Sequence, residues 1–174
     1  MRFLPQKELT NIYKGEKMKR IIWSLIIVFC IRPCVVYASN ETFLDEEIVL
    51  YCEDIGEQYC IAPELLQAMI ERESTGNPDA VNGGCIGLMQ ISKRWHLDRM
   101  KRLGVDDLFD PYSNILVGAD YISELAERYG DVALVLDVYN GNSKAFYNNN
   151  NGIISSYAKW ILERSEELER ERGK

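Results

Sequence analysis

From Thr42 to the C-terminus, apolar residues recur at the spacing of an α-helix in one segment after another, while runs of alternating Val, Ile and Thr that would mark strands are missing. That pattern predicts an all-α fold. In "FLDEEIVLYCEDIGEQY" the repeat falls on Ile48, Leu50, Tyr51 and Ile55. Pro63 suits the first turn of a second helix through "PELLQAMIERES". Ser92 is placed to cap "KRWHLDRMKRL", which Gly104 ends. Helices over 114–129, 131–139 and 155–172 complete the set, the last closing in a charge run expected to be solvated. "YNNNNG" at 147–152 reads as a turn or mobile loop.

The second helix holds the residue that decides the chemistry. Its inward face is expected to run Ala62, Leu66, Met69 and then position 73, so Glu73 continues an apolar stripe. Glu71 falls with Glu64 and Gln67 on the polar side, where a solvated role is expected. A carboxyl at 73 is expected to be partly desolvated, and desolvation disfavours its charged form. Its proton affinity then rises toward the range in which a general acid works.

The N-terminal segment has a different character. Met18-Lys19-Arg20 precedes "IIWSLIIVFCI", and Val36-Tyr37-Ala38 offers small residues at −3 and −1. Residues 1–38 are therefore expected to be a secretory signal peptide, with translation starting at Met1 or Met18 and cleavage after Ala38. The alternative is an anchor retained over residues 21–38, although Arg32 and Pro33 interrupt it and about 20 apolar residues are usually needed. Residues 42–168 are expected to form one domain, and 169–174 a charged tail. Residues 1–38 carry seven Lys/Arg against two Asp/Glu, leaving thirteen against twenty-five in the remainder. An acidic domain of that kind is a poor partner for nucleic acid, because phosphate contacts need clustered positive charge. The basic run "KRWHLDRMKR" is better read as an amphipathic helix with a wet side.

After cleavage three cysteines remain, Cys52, Cys60 and Cys85, since Cys30 and Cys34 leave with the signal. Cys52 and Cys60 lie eight residues apart on one expected helix, about 12 Å, which is beyond disulfide reach. Cys60 with Cys85 is the better pair, and three buried free thiols are the alternative. Three scattered cysteines and the single His96 do not make a zinc site, so no metal or other cofactor is expected.

Several blocks in register carry a resemblance. Glu73-Ser74, Asn77-Pro78-x-Ala80-Val81, Gly83-Gly84, Gly87-Leu88-Met89-Gln90, then Asp110-Pro111-x-x-Asn114-Ile115-x-x-Gly118-Ala119-x-Tyr121, and Tyr139-Asn140-x-Asn142 follow one another in order. Over residues 46–162 the chain resembles the soluble lytic transglycosylase domain. The resemblance implies a helical, lysozyme-like fold with an active-site cleft, acting as a monomer on the glycan strands of peptidoglycan. It implies cleavage of the β-1,4 bond between N-acetylmuramic acid and N-acetylglucosamine, with Glu73 as acid and then base. Attack by the muramyl C6 hydroxyl would leave a 1,6-anhydro end, so the second carboxylate of ordinary glycosidases is not required.

By the same resemblance Gln90 stands beside the scissile bond, Met89 belongs to the apolar floor, and Ser74 and Tyr121 belong to the cleft. Tyr139 would hold or polarise the catalytic carboxyl, with Asn140 near sugar or backbone. The chain departs from the family at Asn82, where a serine is common, at Cys85, where alanine is common, and at Ile153, where many members carry a Glu four residues before Tyr157. Two rivals remain at this stage. One is a goose-type lysozyme-like hydrolase using Asp79, Asp106, Asp107 or Asp120 to position water, and the other is a wall-binding module without turnover.

Overall fold

A computed structural model describes residues 43–173 of the chain. The expected signal segment 1–38, with Cys30 and Cys34, lies outside those residues. Among the described residues there are seven helices: α1 (Glu46–Tyr59), α2 (Pro63–Ser74), α3 (Lys93–Leu103), α4 (Pro111–Tyr129), α5 (Val132–Tyr139), α6 (Ala145–Asn150) and α7 (Ser156–Glu171). None of them is long and apolar enough to cross a membrane.

Helix ends follow from local chemistry. Asp110 accepts a hydrogen bond from the Ser113 amide at 2.8 Å and Pro111 takes the first turn of α4. Asp131 accepts from Leu134 at 2.9 Å, and the Ser155 hydroxyl accepts from Ala158 at 3.1 Å, so α5 and α7 each start on a satisfied cap. Gly104 and Gly130 end α3 and α4 in the left-handed conformation. The Asn-rich patch differs from expectation. Residues 147–150 belong to α6 rather than to a loop, with Ala145 buried and Phe146 meeting the Tyr129 ring edge-on at 5.5 Å, and only Asn151-Gly152 makes the expected turn.

Three two-residue strands, β1 (Val81–Asn82), β2 (Cys85–Ile86) and β3 (Ile91–Ser92), make a small antiparallel sheet in that order. Strands this short carry no alternation for the sequence to reveal. Gly83 and Gly84 join β1 to β2 with φ of 57° and 86°, a conformation the hairpin requires and glycine adopts without strain.

The centre of the fold is α2, which is buried on nearly every side. Leu66, Met69 and Ile70 are fully enclosed, and so is Gln67. Glu64 and Glu71 are buried as well. This corrects the polar face drawn from the periodicity: α7 packs over it, and Arg164 grips Glu71 through Nε and Nη2 at 2.7 and 3.2 Å. Arg172 does the same for the other end, reaching Glu64 at 3.1 Å and Glu53 at 2.9 Å with its own side chain 8% exposed. The charge run at the C-terminus is therefore only partly solvated, since helix α7 continues to Glu171 and its arginines supply the counter-charge for buried glutamates. Ala62, expected inside, is exposed at the start of α2.

Gln67 is the exception to this pairing. Neither polar atom of its amide has a hydrogen-bond partner among the described residues. An unpaired buried amide costs about 1–3 kcal/mol, so Gln67→Met should stabilise the domain by about 1–2 kcal/mol in chemical denaturation. A loss of stability on that substitution would contradict this reading of the core.

Candidate active site

Glu73 occupies the last turn of α2, where the helix leaves the core, and it is half-buried. Burial is the largest influence on its proton affinity and pushes its pKa up from the ordinary glutamate value of 4.5. Two weaker influences oppose it, a hydrogen bond from Tyr157 and the positive charge of Arg72. The Tyr157 hydroxyl donates to Glu73 Oε1 from the first turn of α7. Burial in turn raises the phenol of Tyr157, so it stays a donor throughout the working range. Arg72 lies 6.0 Å from the Tyr157 ring centre and 5.5 Å from that of Trp160. The result is a carboxyl that is desolvated and oriented, and so suited to hold a proton and release it to a nearby oxygen.

The wall beside it is built from the Gly-rich loop. Asn114 of α4 is fully buried and ties that loop down with its whole amide: its Oδ1 accepts from the Met89 amide at 2.8 Å, and its Nδ2 donates to the carbonyls of Ile86 and Leu108 at 2.8 Å each. Gly87 makes room for it. A Cβ at position 87 would sit 2.2 Å from Asn114 Nδ2 and 2.6 Å from the Leu108 carbonyl. Gln90 holds a left-handed backbone, φ 48°, and its side-chain amide donates to the carbonyls of Gly87 at 3.0 Å and Ala80 at 3.2 Å. A strained non-glycine residue kept in place by its surroundings is a frequent mark of a functional loop.

The residues expected in the cleft separate into two groups. Gln90, Tyr121, Tyr139 and Asn140 all line one cavity of about 820 Å³, together with Cys85. Tyr139 does not hold the Glu73 carboxyl by a hydrogen bond, however. Its hydroxyl donates to the Met89 carbonyl at 2.8 Å, and Tyr157, 84 positions from Glu73 in sequence, takes the role instead. Met89 is fully enclosed with its thioether against Gly118, so it packs beneath the loop and does not itself face the cavity. The Ser74 hydroxyl donates back to the Ile70 carbonyl at 3.2 Å within its own helix.

The cysteines are free thiols: Cys52 buried, Cys60 exposed and Cys85 half-buried. The expected pairing of Cys60 with Cys85 does not form. Cys60 precedes α2 while Cys85 lies close enough to Glu73, at the far end of that helix, to feel its charge. Twelve residues of helix span about 18 Å, well beyond disulfide reach. Among the described residues no group of His, Cys, Asp or Glu is arranged to hold a metal ion. Asp120, one of the carboxylates considered for a water-positioning role, is committed elsewhere. Arg99 and Arg102 both bond it at 2.7 Å and keep its pKa below the usual carboxylate range.

Removing the Tyr157 hydroxyl tests the pairing at Glu73. Because that donor favours the charged carboxylate, Tyr157→Phe should raise the Glu73 pKa and move the alkaline limb of the activity profile to higher pH. The lost positioning should lower kcat by roughly 10- to 100-fold, the worth of a hydrogen bond to a charged group. An unchanged limb would show that the tyrosine does not act on this proton.

The sequence profile of the family described as "Transglycosylase SLT domain" matches residues 51–160. This chain belongs to that family. A transglycosylase of Enterobacteria phage PRD1 is 39% identical over 87 residues, covering 49% of this chain and 31% of the phage protein, so the chain spans about a third of that relative. Invasion protein IagB of Salmonella typhimurium is 32% identical over 116 residues, covering 62% of this chain and 70% of IagB. The membrane-bound lytic murein transglycosylase F of Maricaulis maris is 42% identical over 69 residues, 39% of this chain and 14% of that protein. Among solved structures, an inactive mutant of the lytic transglycosylase Slt from Pseudomonas aeruginosa superposes with a TM-score of 0.53 at 19% identity, covering 71% of this chain and 22% of that one. That likeness gives the fold, a helical lysozyme-like domain.

Proposed function

We propose that the protein is a peptidoglycan lytic transglycosylase that cleaves the β-1,4 bond between N-acetylmuramic acid and N-acetylglucosamine with Glu73 as its only acid and base. The observation that carries this reading is the Glu73 carboxyl, desolvated at the end of the central helix and oriented by Tyr157. In the first half of the reaction Glu73 gives its proton to the glycosidic oxygen as the C1–O bond breaks. In the second half the resulting carboxylate takes the proton from the muramyl C6 hydroxyl while that oxygen bonds to C1, which closes the 1,6-anhydro ring and returns the acid to its starting form. Burial, the Tyr157 hydrogen bond and the Arg72 charge set its proton affinity. A single-acid route needs no second carboxylate, whereas direct hydrolysis calls for one about 5–10 Å away.

The enzyme acts outside the cytoplasmic membrane, with residues 1–38 serving as its export signal. Family membership and the named murein transglycosylases among its relatives support that location. Digesting peptidoglycan with the purified protein and weighing the fragments by mass spectrometry tests the proposal. Anhydromuramyl ends are expected; reducing ends would assign a hydrolase, and no release would assign a binding module.

A further inference from the structure

The cavity of about 820 Å³ continues past Gln90 and Tyr139 to α3, where Trp95 and His96 line it. Its volume falls within the roughly 300–1,000 Å³ usual for small-molecule sites. Tyr139 and Cys85, two of its lining residues, are near enough to Glu73 to feel its charge, although Glu73 itself does not line this cavity. Neither Trp95 nor His96 has a part in the chemistry at Glu73.

The His96 ring is fixed from two sides. An Arg99 nitrogen lies 3.0 Å from His96 Nδ1, and a guanidinium can only donate, so Nδ1 is the acceptor and the neutral ring carries its proton on Nε2. The ring also rests 4.6 Å from that of Tyr121. Arg99 is itself immobile: it bonds Asp120 at 2.7 Å, pairs with Glu124, and stands 4.7 Å over Tyr121. Burial, and after it the Arg99 charge, hold the imidazole below its ordinary range and keep it uncharged. Next to it the Trp95 indole is 76% exposed, with Arg94 stacked 5.1 Å from one ring. The indole therefore presents a large apolar face at the rim of the cavity, with its N–H free to meet a polar group.

A neutral, oriented N–H donor beside an exposed indole and a tyrosine ring matches a neutral polyhydroxylated ligand. An anion would need free positive charge, and Arg99 is already spent on two carboxylates. We propose that His96 and Trp95 form a binding subsite for an N-acetylhexosamine unit of the glycan strand away from the bond broken at Glu73. His96 Nε2–H donates to a sugar oxygen and the indole covers the apolar face of the pyranose. This rests on the glycan-cleaving reading above and assigns part of its substrate contact.

The test uses the full chain with His96→Phe, His96→Gln and Trp95→Ala, two ligands and two readouts: affinity for N-acetylglucosamine oligomers by calorimetry, and kcat and KM on purified glycan strands. Phenylalanine keeps the ring but not the donor, while glutamine keeps an N–H donor. His96→Phe and Trp95→Ala should each weaken oligomer binding and raise KM by about tenfold with kcat nearly unchanged, the worth of one hydrogen bond or stacking contact. His96→Gln should recover most of the loss. Affinity and KM within about twofold of the parent in both His96→Phe and Trp95→Ala would overturn the subsite while leaving the lytic reading intact. Loss of oligomer affinity in a protein that releases no anhydro fragments would uphold the subsite and end the lytic reading.

Discussion

Glu73→Gln should abolish turnover while the protein folds, binds glycan and melts at a higher temperature than its parent. Removing a general acid and base costs at least about 10²–10⁴ in rate, and here one group serves both half-reactions, so the loss should reach the upper end or beyond. The gain in stability has the opposite origin. Burial raises the Glu73 pKa above its unfolded value, so the folded state binds more protons than the unfolded state in the window that opens above 4.5. Stability therefore falls as pH rises through that window and stays lower at neutral pH, which means the ionised carboxylate opposes folding there. Glutamine carries no such charge. The melting difference should vanish below about pH 4, where both proteins hold a neutral side chain at this position. Thermal melts across pH, run beside a turnover assay, check both halves; a Glu73→Gln protein that melts below its parent at neutral pH would mean that the carboxylate is a structural ion-pair partner.

Asn114→Ala should be the most damaging single change outside the acid itself. Its amide satisfies the Met89 N–H and the carbonyls of Ile86 and Leu108, all inside the protein. Alanine would strand three backbone groups and leave a hole beside Gly87. With each stranded group costing about 1–3 kcal/mol, the domain should lose about 3–5 kcal/mol in urea denaturation. Activity should fall with it, since the loop that Asn114 fastens carries Gln90. A loss below about 1 kcal/mol would show that the loop is held by other means.

The sequence makes this fold legible where local chemistry acts alone. Pro63 and Gly104 mark a helix start and a helix end through signals that need no tertiary partner, and Glu73 stands out because it prolongs the stripe of Leu66 and Met69. What it hides is whatever a distant segment supplies. Periodicity gave α2 a polar face because it cannot know that α7 lies over Glu64, Gln67 and Glu71 with Arg164 and Arg172 in hand. The family resemblance assigned the carboxyl's tyrosine to position 139, whereas Tyr157 reaches Glu73 only once the last helix has packed against the second. Asn114 was visible as a motif residue, yet nothing local says that its amide secures the catalytic loop. The Asn-rich patch shows the converse, since its weak helical preference gives way to the burial of Ala145 and the packing of Phe146.

The proposed mechanism turns on the protonation of one side chain. Isotope labelling of the glutamate carboxyl carbons, with Glu73 assigned by loss of its signal in the Glu73→Gln protein, lets its titration be followed by NMR beside the pH dependence of kcat/KM. The expected result is a midpoint above 4.5 that coincides with the alkaline limb of activity. A carboxyl that titrates at or below 4.5, with cleavage continuing unchanged far above its midpoint, would contradict the role of Glu73 as the acid.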